Sequence, residues 1–235
     1  MTDQNYTHIA LVLDRSGSME SIRDATIAGT NAFIKSQQEA PGGRCTFSLV
    51  TFNDYHQLER DFDPVGLVTP LSRETYAPGG NTALRDALGW TIEETGRRLS
   101  AMPESTRPSK VLIVTQTDGY ENASRTYSVQ RLQDLVNTQQ NQFAWQFVYL
   151  GANQDSFAVA QSYGIRAANT INFAATDLGI RHSAMATASL GSNYRATGDA
   201  SFMAAGVDNT KTLGDPADLL DALTKVKKPR AKKQT

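Results

Sequence analysis

Apolar residues fill positions 9–13 without a break, and the chain then turns abruptly polar, with a carboxylate at Asp14 and hydroxyls at Ser16 and Ser18. An apolar run of that length, closed by turn chemistry, reads as a strand buried on both faces. Three further stretches read as strands: 44–52, which alternates, and 110–115 and 144–150, which are rich in β-formers. Residues 55–62 and about 168–174 make two more. Between them the period changes to 3.6. Ile22, Ala25, Ala32 and Phe33 stripe a helix over 18–40, stopped by Pro41-Gly42-Gly43, with Ser21 and Asp24 as a weak capping box. Leu84, Ala87, Leu88, Thr91, Ile92 and Leu99 stripe a second helix that opens after Gly79-Gly80-Asn81-Thr82 and ends before Pro103. Helices near 127–140 and 155–163 follow, and small residues make one plausible around 184–189.

Strands alternating with helices define an α/β chain with a doubly wound, mostly parallel six-stranded sheet and helices on both faces. The strands at 44–52 and 55–62 are too close for a helical crossover, so they form an antiparallel hairpin at one edge. Residues 64–78 read as irregular. The expected organisation is a domain over 1–175 and a helical extension over 176–199 packed on it. Residues 200–235 follow as linker, short helix from Asp215-Pro216 and basic tail.

The 235 residues suffice for one such domain with a sizeable core. Net charge is −1, but 225–235 holds six lysines and arginines and no acid, leaving 17 basic against 24 acidic residues in the remainder. An acidic body argues against a nucleic-acid surface on the fold and leaves that role to the tail alone. The lone Cys45 allows no internal disulfide and reads as a core residue. No secretory signal and no membrane-spanning run is evident, so the expected location is cytoplasmic.

The alternation Asp14-x-Ser16-x-Ser18 falls where a strand gives way to a helix, the place where open α/β sheets hold ligands. One charged and two neutral oxygens suit a hard cation such as Mg²⁺. Each residue also has a plain structural reading. Ser18 could cap the next helix, Asp14 could close an Asx-turn, Thr82 could cap the helix it precedes, and Asp118-Gly119 could be a turn. Against these stands their joint order: in a parallel sheet, strands 7–13 and 110–115 end on the same edge.

In that order Asp14, Ser16, Ser18, Thr82 and Asp118 resemble the metal-ion-dependent adhesion site (MIDAS) of von Willebrand factor type A (VWA) domains. The resemblance covers about residues 6–175. The stretches around Leu13–Met19, Thr117–Asn122 and Tyr149–Asn153 resemble short intracellular bacterial or phage members. It implies that Ser16, Ser18 and Thr82 ligate the ion directly, with Asp14 and Asp118 acting through water. It also implies Mg²⁺, or Mn²⁺ or Ca²⁺, with a free position for an Asp or Glu of a protein partner. Arg15, Gly80 and Asn81 become candidate contacts to that ligand.

The function expected is metal-dependent protein binding, not catalysis. Assembly within a phage or bacterial complex is the alternative, and a Rossmann-like hydrolase a further one. The sequence carries none of the common nucleotide or nucleophile motifs, and His8, His56 and His182 lie far from the motif loops.

Overall fold

The computed structural model describes residues 1–152 and 155–215. Six strands form one sheet: β1 (Asp3–Asp14), β2 (Arg44–Phe52), β3 (His56–Pro64), β4 (Pro108–Thr117), β5 (Gln146–Gly151) and β6 (Thr170–Asn172). Their order is β3-β2-β1-β4-β5-β6, and β3 alone runs antiparallel, as the edge partner of β2. The chain leaves β1 toward one edge and returns on its other side as β4. The strand order therefore reverses between β1 and β4, the position at which doubly wound sheets open a crevice. Register sets Leu13 beside Gln116, so Asp14 and Thr117 lie side by side at the carboxyl ends.

The helices are α1 (Arg23–Glu39), α2 (Leu84–Ala101), α3 (Val129–Phe143), α4 (Ser156–Ser162) and α5 (Asp177–Thr197). Alternation along β1 supplies two cores. Ile9, Leu11 and Leu13 face a cluster with Phe33 and Ile34 of α1 and Ile180 and Leu190 of α5. Ala10 and Val12 face the other, with Leu84, Leu88 and Ile92 of α2 and Leu132 and Val136 of α3. Both faces of β1 are thus apolar, as expected of a central parallel strand. Thr176 caps α5 by accepting from Gly179 N, and Gly198 ends it in the left-handed region. Residues 198–215 return to the sheet: Phe202 is fully buried, and Leu213 pairs with Phe173 beyond β6.

Two local expectations are corrected. The first helix does not start at Ser18. A 3-10 turn occupies Gly17–Ile22 and α1 begins at Arg23. The Ser18 hydroxyl is turned toward Asp118 at 2.5 Å, and Met19 N already bonds Ser16 O three residues back, which winds the chain into the narrower 3-10 turn. The capping box also fails. Ser21 donates to Ser18 O, Asp24 pairs with Arg73, and the N-cap of α1 is Ile22 with no side-chain bond. The segment 64–78 is largely irregular, with a 3-10 turn at Val65–Leu67, and Arg23 holds it by donating to the carbonyls of Arg73 and Tyr76. The expected helix from Asp215-Pro216 and the basic tail lie outside the described residues, as does Asn153.

Candidate metal centre

The centre is built on the ends of β1 and β4. Asp14 closes β1 and is fully buried. Its Oδ1 accepts from Ser16 N at 2.6 Å and its Oδ2 from the Thr117 hydroxyl at 2.5 Å, while its backbone carbonyl accepts from the Tyr76 hydroxyl at 2.5 Å. The first of these is the Asx-type bond that sequence allowed as the plain reading, but it leaves the carboxylate inside the cluster. Ser16 Oγ stands 3.2 Å from Ser18 Oγ, which donates to Asp118 Oδ1 at 2.5 Å. A hydrogen-bonded line therefore runs from Ser16 through Ser18 to Asp118, across the switch point.

Thr82 joins from the third loop. A Cβ placed on Gly119 would stand 3.5 Å from Ser18 Oγ and 3.6 Å from Thr82 Oγ1, so both hydroxyls face one small space beside Asp118. Capping does not explain either of them. Ser18 is engaged with Ser16 and Asp118, and the N-cap of α2 is Ala83 with no side-chain bond. The free N–H groups of α2 are met from across the site instead: Arg85 N by Glu121 and Asp86 N by Ser124. The five sequence-predicted residues are thus gathered at one sheet edge.

Four residues missed in the sequence hold this arrangement. Thr117 and Tyr76 grip Asp14. Asn122 accepts from Thr82 N through Oδ1 at 2.9 Å and returns its own N–H to Thr82 O at 3.1 Å. Glu121 Oε1 collects the N–H groups of Ala123 and Ser124, so the loop after Asp118 is tied both to itself and to α2. Thr117 offered a sequence signal, a hydroxyl one residue before the aspartate. Tyr76 and Asn122 gave none, because their partners lie 62 and 40 residues away, and Glu121 combines bonds inside its own loop with one to Arg85 N, 36 residues away.

Burial, the largest influence, pushes the Asp14 carboxyl up to about 6, aided by repulsion from Asp118 and opposed by the bonds from Thr117 and Ser16. Burial likewise raises Asp118, against the bond from Ser18. Burial of two carboxylates at one sheet edge disfavours their charged forms, and a divalent cation held there would offset that cost. Three hydroxyls and two carboxylates are an all-oxygen set suited to Mg²⁺, Mn²⁺ or Ca²⁺. Among the described residues no group of three or more His, Cys, Asp and Glu could hold a metal ion, so any such site depends on the hydroxyls.

The three candidate ligand contacts divide. Arg15 extends its guanidinium over the Tyr55 ring, 5.2 Å from the centroid, and donates to Gln57. Gly80 and Asn81 are occupied structurally. The Gly80 carbonyl accepts from Gly17 N at 3.0 Å, and Asn81 is bonded to Asp54 through its side chain and backbone. Gly80 also has a φ of 80°, and any Cβ there would run into Asp54, which accounts for glycine at this position.

This architecture is the VWA fold. No family model matches the sequence and no curated protein matches it, but solved structures do. The chain is similar to the PilB minor pilin from Streptococcus sanguinis, with a TM-score of 0.58 at 14% identity over 82% of this chain and 62% of that one. It is similar to proximal thread matrix protein 1 from the mussel byssus, whose structure has a zinc-occupied MIDAS motif: TM-score 0.54 and 15% identity, over 80% and 46%. The ArnB paralog VWA2 from Sulfolobus acidocaldarius matches at a TM-score of 0.51 and 14% identity, over 81% and 46%. The chain spans less than two thirds of the length of each. At such identities the shared property is the fold. Among the described residues no helix is long and apolar enough to cross a membrane.

Proposed function

We propose that this chain is a metal-dependent protein-binding module that captures an acidic side chain of a partner at the β1–β4 edge. The observation that carries the reading is the joining of Ser16, Ser18 and Asp118 by hydrogen bonds, with the Thr82 hydroxyl facing the same space and Asp14 buried beneath. The zinc-occupied MIDAS of the mussel protein, on the same fold, supports a divalent cation here. Ser16, Ser18, Thr82, Asp14 and Asp118 would hold it, and Mg²⁺ fits their oxygen chemistry. When bound, the cation supplies a Lewis-acid position for a carboxylate.

The residues of the chain do the rest. Asp14 and Asp118 carry two negative charges against two positive ones. The bonds from Thr117 and Ser16 fix the Asp14 carboxylate, and the Asn122 clamp fixes Thr82. The same reading assigns the site to capture, not turnover. His8 is buried in the sheet beside Thr46, His56 stacks on Trp90, and His182 lies on α5.

The test is partner retention by the immobilised chain in Mg²⁺ and in EDTA, with Asp14→Ala and Thr82→Ala alongside. Retention that requires Mg²⁺ and is lost in both variants is expected. Partners held equally in chelator and by both variants would overturn the reading.

A further inference from the structure

Arg15 occupies the variable position inside Asp14-x-Ser16, so its backbone is part of the site loop. Its N–H donates to Phe52 O at 2.7 Å and its carbonyl accepts from Gly79 N at 2.8 Å. The side chain leads away from the oxygens toward the β2–β3 turn. There the guanidinium lies over Tyr55, a residue 60% exposed, and donates to Gln57 Oε1 at 3.2 Å. Among the described residues Arg15 forms no ion pair, whereas Arg23, Arg73, Arg85, Arg97, Arg98 and Arg131 each have a carboxylate. An arginine held over an aromatic ring and bonded to a neighbouring side chain has already lost part of its side-chain freedom, so binding to it costs less entropy.

We propose that the Arg15–Tyr55 pair is a second anchor of the capture face, and that the segment it fits carries two carboxylates rather than one. The inference rests on the metal-dependent reading above and specifies its partner. Charge complementarity selects the occupant: an unneutralised guanidinium with a planar fork takes a carboxylate in two parallel bonds. Register sets the spacing. Gln57 pairs with Thr51 and Thr51 with Leu13, so the guanidinium's partner stands two strands from the strand that ends in Asp14. Two inter-strand steps are about 10 Å. An extended chain covers that in about three residues, so the fitting segment is a short acidic protein stretch with acids two to four residues apart. The exposed Tyr55 ring adds apolar contact beside the second acid, in the manner of aromatic anchors at interfaces.

The test uses the full chain and labelled twelve-residue Gly/Ser peptides with one glutamate, or with two glutamates spaced two, three or four apart. Fluorescence anisotropy is read in Mg²⁺ and in EDTA. The expected result is Mg²⁺-dependent binding of all peptides, with one of the two-acid spacings bound about tenfold more tightly than the single-acid peptide. Arg15→Ala brings that ratio to one. Arg15→Glu reverses the preference toward an added control peptide in which lysine replaces the second glutamate. Melting curves establish that both variants are folded. Equal affinity for one-acid and two-acid peptides, or a preference that survives Arg15→Ala, overturns this inference while Mg²⁺-dependent binding sustains the broader reading. Binding of every peptide unchanged by EDTA, or absent throughout, overturns both.

Discussion

Thr82 and Asn122 are bonded to each other twice, side-chain oxygen to backbone N–H in one direction and backbone N–H to carbonyl in the other. The pair joins the loop before α2 to the loop after β4, so Thr82 and Asp118 are presented as one unit. Removing the acceptor with Asn122→Ala leaves Thr82 N without a partner and frees the loop to shift. Residues that orient metal ligands typically cost 10- to 100-fold in metal affinity when lost. The expectation is about a tenfold weaker divalent affinity by calorimetry, with stability lowered by about 1–3 kcal/mol. Unchanged affinity would show that Asn122 does not position Thr82.

Gly89 connects the interior of α2 to the same loop. A Cβ there would run into the Tyr127 ring, whose hydroxyl donates to Glu93 and whose backbone N–H donates to Asp86. Gly89→Ala therefore displaces the Tyr127 end of the loop. A destabilisation of about 1–3 kcal/mol is expected in denaturant unfolding, despite the better helix propensity of alanine. A stability equal to or above that of the parent would show that the ring yields freely.

Asp14 sets the response to chelation. Its folded carboxyl titrates near 6, above the usual 3.8, because burial disfavours the charge. A raised folded value means that the stabilisation is complete below the unfolded pKa and is lost as pH rises through the folded one. In EDTA at pH 7.5 the charged group is therefore a liability. Asp14→Asn keeps the side-chain oxygen that accepts from Ser16 N and removes the charge. Its melting temperature in EDTA is expected to exceed that of the parent by about 2 °C or more, and the order reverses in millimolar Mg²⁺. A lower melting temperature than the parent in EDTA would contradict this.

His8 works in the opposite direction. It is fully buried, stacked on Phe62 at 3.6 Å between ring centroids, with Nδ1 3.0 Å from Thr46 Oγ1. Burial, aided by the Arg98 charge, pulls its pKa from 6.5 down to about 3. A depressed folded value means stability that is present above 6.5 and is lost as pH falls toward 3. His8→Phe retains an aromatic partner for Phe62 and removes the titration. Urea unfolding of the chelated protein between pH 7.5 and 4 should show the parent losing stability faster than the variant. Parallel profiles would rule out His8 as the source.

Much of the frame was legible because its signals are local. The apolar run ending at Asp14 identifies β1, the 3.6 spacing from Leu84 identifies α2, and the short gap between β2 and β3 requires the antiparallel edge. The start of α1 was misread because Ser18 answers to Asp118, a hundred residues away, and not to the helix it precedes. The five oxygens were visible as residue types, but what holds them was not. Tyr76, Glu121 and Asn122 are ordinary loop residues until the fold brings them to Asp14, Arg85 and Thr82 respectively. Residues 200–214 read as linker because one buried phenylalanine and a single bridge at Leu213 leave little periodic pattern.

The most direct test is calorimetric titration of Mn²⁺ into the chelator-stripped chain, beside the double variant Ser16→Ala/Ser18→Ala. Both carboxylates survive in that variant, so general attraction to acidic residues is preserved while two hydroxyl oxygens are lost. One ion per chain in the parent, and at least tenfold weaker binding in the variant, is the predicted result. Equal binding by the two proteins, or none by the parent at millimolar Mn²⁺, would contradict a cation site at this edge.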